Sequence, residues 1–157
     1  MSSIAPLRNS EDLALRAECP FTCLAQPYLR KDSFREGMFR MLAYKVKESK
    51  CLSASVGGYH DHVHLLAGLS RTITIAKLVE NIKRETSRWA KDAAGGSSTF
   101  AWQSGYGVFS VSHLKHDAVD KYIREQSQHH ATTSFQDEFR WMCERHGIEI
   151  DERYVWD

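Results

Sequence analysis

The sequence predicts an α+β domain of ferredoxin-like order, β-α-β-β-α-β, followed by two C-terminal helices. Two amphipathic stretches, near residues 33–50 and 75–91, supply the helices. Between them, two short alternating segments meet at Gly57-Gly58, the pattern of a hairpin. Elements in that order form one antiparallel sheet with helices packed on one face, leaving the other face open. A chain of 157 residues suits one domain. Residues 1–18 mix Ser, Pro, Asn and charges without periodicity and read as a poorly ordered segment. Residues 19–157 read as the single domain.

Phe21 to Ala25 is the first strand, short and flanked by Pro20 and Pro27. This strand is central in such a sheet, where proline is poorly tolerated, so the two prolines bound it. A helix follows from Asp32 or Ser33, with Glu36 placed as in a capping box. Phe34, Met38, Met41, Leu42 and Val46 form its apolar stripe, and it ends near Lys50. Leu52 to Val56 alternates, Gly57-Gly58 bends, and His60-Asp61-His62-Val63-His64-Leu65-Leu66 makes the next strand. Thr74 caps a second helix over Ile75 to Lys91, with Ile75, Leu78, Val79, Ile82 and Trp89 facing inward. Val108 to Val111 is the fourth strand. Leu114 to His130 forms a third helix and Phe135 to His146 a fourth, ended by Gly147. Tyr154 and Trp156 in the tail pack back onto the body.

Composition excludes several classes. The chain has no run of eighteen apolar residues to span a membrane, and no basic-then-apolar leader. Cys19, Cys23, Cys51 and Cys143 are scattered and read as reduced thiols of a cytoplasmic protein. A net charge of +1 argues against non-specific coating of nucleic acid. The second helix is the exception: Lys77, Lys83, Arg84, Arg88 and Lys91 stand against only Glu80 and Glu85.

Side chains alternate along a strand, so His60, His62 and His64 share one face, with Val63 and Leu65 on the other. Paired imidazoles can hold a divalent cation, and Gln126 offers a carbonyl oxygen to complete the set. Tyr122, four residues before Gln126, shares its helix face. A phenol needs help to attack at neutral pH, and a metal that polarises a phosphate oxygen provides it.

The string Val56-Gly57-Gly58-Tyr59-His60-Asp61-His62-Val63-His64-Leu65-Leu66 resembles the histidine-hydrophobe-histidine (HUH) segment of single-tyrosine insertion-sequence transposases and their REP-associated relatives. Lys83 to Trp89 resembles that family's basic helix, Phe100 to Gly107 its W-Q-x-G-Y block, and Tyr122 to Gln126 its nucleophile helix. His129-His130, Phe135 to Phe139 and Tyr154 to Trp156 resemble its tail. The resemblance implies Tyr122 as nucleophile and His62, His64 and Gln126 as ligands of Mg²⁺ or Mn²⁺. It further implies cleavage and rejoining of single-stranded DNA through a 5′-phosphotyrosine, by a homodimer acting on hairpin-containing element ends. Lys83, Arg84 and Arg88 then contact DNA, Trp102 and Tyr106 stand near the site or stack on bases, and Asp61 orients a ligand histidine. The prolines and scant basic charge of residues 17–28 depart from the family pattern. They leave a second reading, a DNA-binding relic without activity. A third, a histidine-triad nucleotide hydrolase, requires a hydrophobic residue where Asp61 stands.

Overall fold

The computed structural model describes residues 18–24 and 26–156; the readings made of residues 1–17 and of Ala25 lie outside them. Four strands, β1 (Glu18–Leu24), β2 (Leu52–Gly58), β3 (His62–Gly68) and β4 (Gly107–Val108), form one antiparallel sheet in the order β2-β3-β1-β4. That order is the ferredoxin-like one, with β1 central as expected. Helices α1 (Asp32–Glu48) and α2 (Ile75–Asp92) cover one face. Phe34, Met38, Leu42 and Val46 of α1 pack there with Val63, Leu65 and Ala67 of β3 and with Leu78, Val79 and Ile82 of α2. Every one of these is almost wholly buried, and together they form the main apolar core.

The local chemistry explains most boundaries. Thr74 accepts the Lys77 amide N–H at 3.2 Å and caps α2 as expected. The capping box expected at Ser33 does not form: α1 starts at Asp32, the earlier of the two expected positions, its N-cap Lys31 has no side-chain cap, and Asp32 pairs with Arg35 at 2.7 Å. Pro20 lies within β1 opposite Leu66, so the strand is not confined between the prolines. β4 covers only Phe21 and Thr22, which leaves Pro20 with a strand neighbour on one side alone. Gly57 and Gly58 belong to β2, and the hairpin loop is Tyr59-His60-Asp61, so His60 is off the strand.

The face expected to be open is closed by the C-terminal helices. Helix α3 (His116–Arg124), the short α4 (Gln126–His129) and α5 (Phe135–Arg145) pack over the histidine side of the sheet. They bury His62 and His64 with Ile123, Gln126, Phe135 and Glu138. The third helix is two pieces, parted at Glu125, where the Gln126 side-chain amide donates to the Tyr122 carbonyl at 3.4 Å. A side chain competing for the helical carbonyl is a recognised cause of such a break. β4 is two residues rather than four because Phe109 turns inward against the rings of Phe139 and His146. In the tail Trp156 packs on Phe139 and Phe135 as expected, whereas Tyr154 is exposed.

One cross-strand rung governs how closely these helices approach. It runs Gly57–His64–Thr22–Gly107 across the four strands. A Cβ on Gly57 would lie 1.9 Å from the Ile123 carbonyl oxygen of α3, and one on Gly107 2.6 Å from the Phe139 ring of α5. The two glycines, one on the strand beside β3 and one on β4 beyond β1, let α3 and α5 close over the histidine strand. Gly57→Ala is therefore expected to destabilise the fold by at least about 1–3 kcal/mol, the usual cost of overpacking against backbone. Urea unfolding read by circular dichroism checks this; an unchanged midpoint would contradict the packing described.

Candidate active site

β3 delivers His62 and His64 to the covered face, and both are fully buried. His130, just past α4, and Glu138, on the inner side of α5, complete a cluster with them. One nitrogen from each imidazole and one oxygen of Glu138 all lie within 4.8 Å of one another. Glu138 Oε2 is 3.1 Å from His64 Nε2, 3.0 Å from His130 Nε2 and 3.7 Å from His62 Nε2. Its other oxygen, Oε1, accepts the Tyr122 hydroxyl and, at 3.3 Å, the Gln126 side-chain amide. Burial opposes the charge on Glu138, but the hydrogen bonds from His64 and Tyr122 and the nearby His62 hold its carboxyl well below the usual range.

Partner chemistry fixes two of the ring tautomers. His62 Nδ1 is 2.8 Å from the Asp61 carboxylate, and His130 Nδ1 is 2.7 Å from the Thr133 carbonyl oxygen. Both partners can only accept, so each Nδ1 carries the proton and donates. The Nε2 of each ring faces inward, towards Gln126 Oε1 at 3.2 Å for His62 and towards Glu138 for His130. Burial pushes the His62 imidazole below its ordinary pKa, against the Asp61 bond that raises it. A neutral His62 then aims a lone pair at an acceptor oxygen, an arrangement that a cation between them relieves. Imidazoles oriented by a carboxylate or carbonyl on the outer nitrogen are the usual support of a metal centre. Three imidazoles and one carboxylate therefore fit a divalent cation, with Gln126 Oε1 beside them.

Tyr122 on α3 reaches this cluster within its own chain. Burial, then the Glu138 bond, push its phenol above the ordinary value, so the side chain is not a preformed phenolate. Activation must come from the electrophile's side or through proton transfer.

Of the other expected residues, Lys83 donates to the carbonyls of Gln103 at 2.8 Å and Gly105 at 2.7 Å and so ties the aromatic loop after α2 to the helix. Trp102 packs against the main core and donates its indole N–H to Thr86 at 2.9 Å. Tyr106 is exposed, with the Lys83 ammonium 5.6 Å from its ring centre. Arg84 and Arg88 lie on the outer side of α2, paired with Glu80 and Glu85. His60 stacks on Tyr59 outside the cluster.

Glu138 and the role of His130 were not identified from sequence. A signal for Glu138 existed: it occupies a position of the apolar stripe Phe135, Phe139, Met142 and Cys143, where an acid is out of place. His130 carried only the resemblance of His129-His130 to the tail of the family pattern and its proximity to Gln126.

A family model described as IS200-like transposase matches residues 22–126. No curated protein sequence matches the chain. Among solved structures, a protein from Deinococcus radiodurans R1 assigned as a transposase is 18% identical, with a TM-score of 0.52, over 80% of this chain and 98% of its own. The REP-associated tyrosine transposase bound to a REP hairpin is 9% identical, with a TM-score of 0.54, over 83% of this chain and 76% of its own.

The different settings of the α2 cations give a stability test. Lys83→Ala frees two loop carbonyls and is expected to cost about 1–2 kcal/mol. Arg88→Ala, which loses one exposed pairing, is expected to leave the unfolding midpoint unchanged. Parallel urea titrations of the two variants check the difference.

Proposed function

The chain belongs to the family of IS200-like transposases, and on that premise we propose that it cleaves and rejoins single-stranded DNA through Tyr122. The observation that carries this reading is the double engagement of Glu138. One oxygen holds the Tyr122 hydroxyl and the other meets the imidazoles of His64 and His130, so nucleophile and donor set converge on one carboxylate.

In the cleavage step the Tyr122 oxygen forms a bond to phosphorus and the bond from phosphorus to the 3′ oxygen breaks. The phenolic proton balances the departing 3′ oxygen, giving a 5′-phosphotyrosine and a free 3′-OH. Glu138 Oε1, already bonded to that proton, orients it and can pass it on. Rejoining is the reverse attack by a 3′-OH, and the covalent link conserves the bond energy, so no ATP is needed. When bound by His62, His64, His130 and Glu138, a divalent metal such as Mg²⁺ or Mn²⁺ supplies Lewis-acid polarisation of the phosphoryl group. The imidazole-rich set favours Mn²⁺ in affinity, so availability selects the ion in the cell.

Arg84 and Arg88 supply phosphate contacts, Lys83 holds the loop that presents Tyr106, and Asp61 fixes the ring of His62. The substrate is taken to be a hairpin-containing element end, by analogy with the hairpin-bound neighbour. A homodimer would hold two such ends at once, while each protomer brings its own Tyr122 to its own imidazoles. No helix among the described residues is long and apolar enough to cross a membrane.

Covalent trapping tests the reading. Protein is mixed with Mn²⁺ and single-stranded oligonucleotides spanning the flanks of its own gene, then run on a denaturing gel. A metal-dependent adduct that is absent from Tyr122→Phe is expected. DNA retained on a native gel without any adduct would instead support the DNA-binding relic.

Calorimetric titration with Mn²⁺ addresses the ligand set separately. His130→Ala and Glu138→Gln are each expected to lower affinity by at least about 10-fold. His60→Ala is expected to leave both affinity and activity unchanged, an outcome that also excludes the histidine-triad reading.

A further inference from the structure

A cleft with a volume of about 610 Å³ opens between α3 and α5, with His64 and Tyr122 in its wall. Resting on the single-stranded-DNA reading above, we propose that this cleft binds the unpaired nucleotide next to the scissile phosphate. Trp141 is its base-stacking platform, and Lys115 and Arg145 hold its phosphates.

Four observations converge on this. The cleft is contiguous with the nucleophile: a phosphodiester brought to the Tyr122 oxygen carries its neighbouring base within one nucleotide's length. Its size lies in the range of sites for small organic ligands. The lining combines apolar surface, from Phe109, Val119, Met142 and the ring of Trp141, with the cations Lys115 and Arg145. None of the described lining residues is acidic, which suits an anionic strand. The contrast with α2 is instructive, because Arg84 and Arg88 there already face Glu80 and Glu85.

Trp141 is the residue that distinguishes this cleft from a packing defect. It is 52% exposed, among the large hydrophobic side chains left in solvent. It stands three residues after Glu138 on α5, so the helix that brings the carboxylate to the site also sets this ring at its mouth. The Arg145 guanidinium lies 5.1 Å from the Trp141 ring centre. The guanidinium lies over the ring, and aromatic side chains with a cation–π partner are a recurring means of holding unpaired bases without reading their sequence.

The test uses full-length Tyr122→Phe protein, so that the strand stays intact. The probe is the single-stranded flank oligonucleotide with 5-iododeoxyuridine in place of thymidine, photo-crosslinked and mapped by mass spectrometry. Crosslinks are expected on the Trp141 peptide. Fluorescence anisotropy is expected to show about 10-fold weaker binding for Trp141→Ala, largely restored in Trp141→Phe. Lys115→Ala and Arg145→Ala are each expected to lower the slope of log affinity against log salt by about 0.7. Crosslinks confined to α2, with unchanged affinity in Trp141→Ala, overturn the proposal. If trapping fails with wild-type protein yet crosslinks map to Trp141, the cleavage reading falls and this one stands. If the adduct forms but Trp141→Ala alters neither binding nor crosslinks, this one falls alone. Absence of any binding by the Tyr122→Phe protein overturns this proposal, while the trapping of wild-type protein decides the cleavage reading separately.

Discussion

A carboxylate buried without partners would cost several kcal/mol and would instead take up a proton. Glu138 escapes this because three donors from three parts of the fold meet it: His64 from β3, Tyr122 from α3 and Gln126 from α4, with His130 Nε2 3.0 Å away in the turn that follows. The requirement works in both directions. Satisfying Glu138 forces α5 to lie with that side chain inward, and α5 in place closes the histidine face. The same bonds fix where the phenol and the imidazoles can stand, so fold stability and site geometry share one interaction.

The sheet had to make room for that closure. Beside His64 in the rung across the strands stand Gly57 and, one strand further, Gly107, and a methyl group at either would collide with α3 or α5. The aliphatic face of the same strand faces α1 and α2 through Val63, Leu65 and Ala67. One strand therefore divides the molecule into a dry apolar layer and a polar layer under the C-terminal helices. Burial on both sides explains why every residue of β3 is inaccessible, although two of its side chains, His62 and His64, are the polar ones of a site.

Charge is partitioned as well. The basic helix α2 neutralises much of its own excess, through Lys77 and Arg84 on Glu80 and through Arg84 and Arg88 on Glu85. Lys83 serves the architecture by holding loop carbonyls, and Trp102 by anchoring the loop to Thr86. Counting cations on a helix overstates the field it offers to a strand of DNA. The cleft beside Tyr122 has fewer cations but no described acid among its lining residues, and in electrostatics the local balance decides.

The sequence by itself determined the order of elements, the split of β3 into an imidazole face and an aliphatic face, the stripes of α1 and α2, and the cap at Thr74. Each is a local matter of period or of a single hydrogen bond, and such features are written in adjacent residues. Gly57 looked like a bend, because a glycine that lets a helix approach and a glycine that turns the chain are identical in sequence. The third helix looked continuous, because its break depends on Gln126 turning inward towards the Tyr122 carbonyl and Glu138. Only the tertiary structure decided that α3, α4 and α5 cover the histidines and that His130 and Glu138 join them. Those contacts link residues as distant in the chain as His64 and Glu138, 74 apart. No period records such a meeting, and only the need to pair a buried charge brings it about.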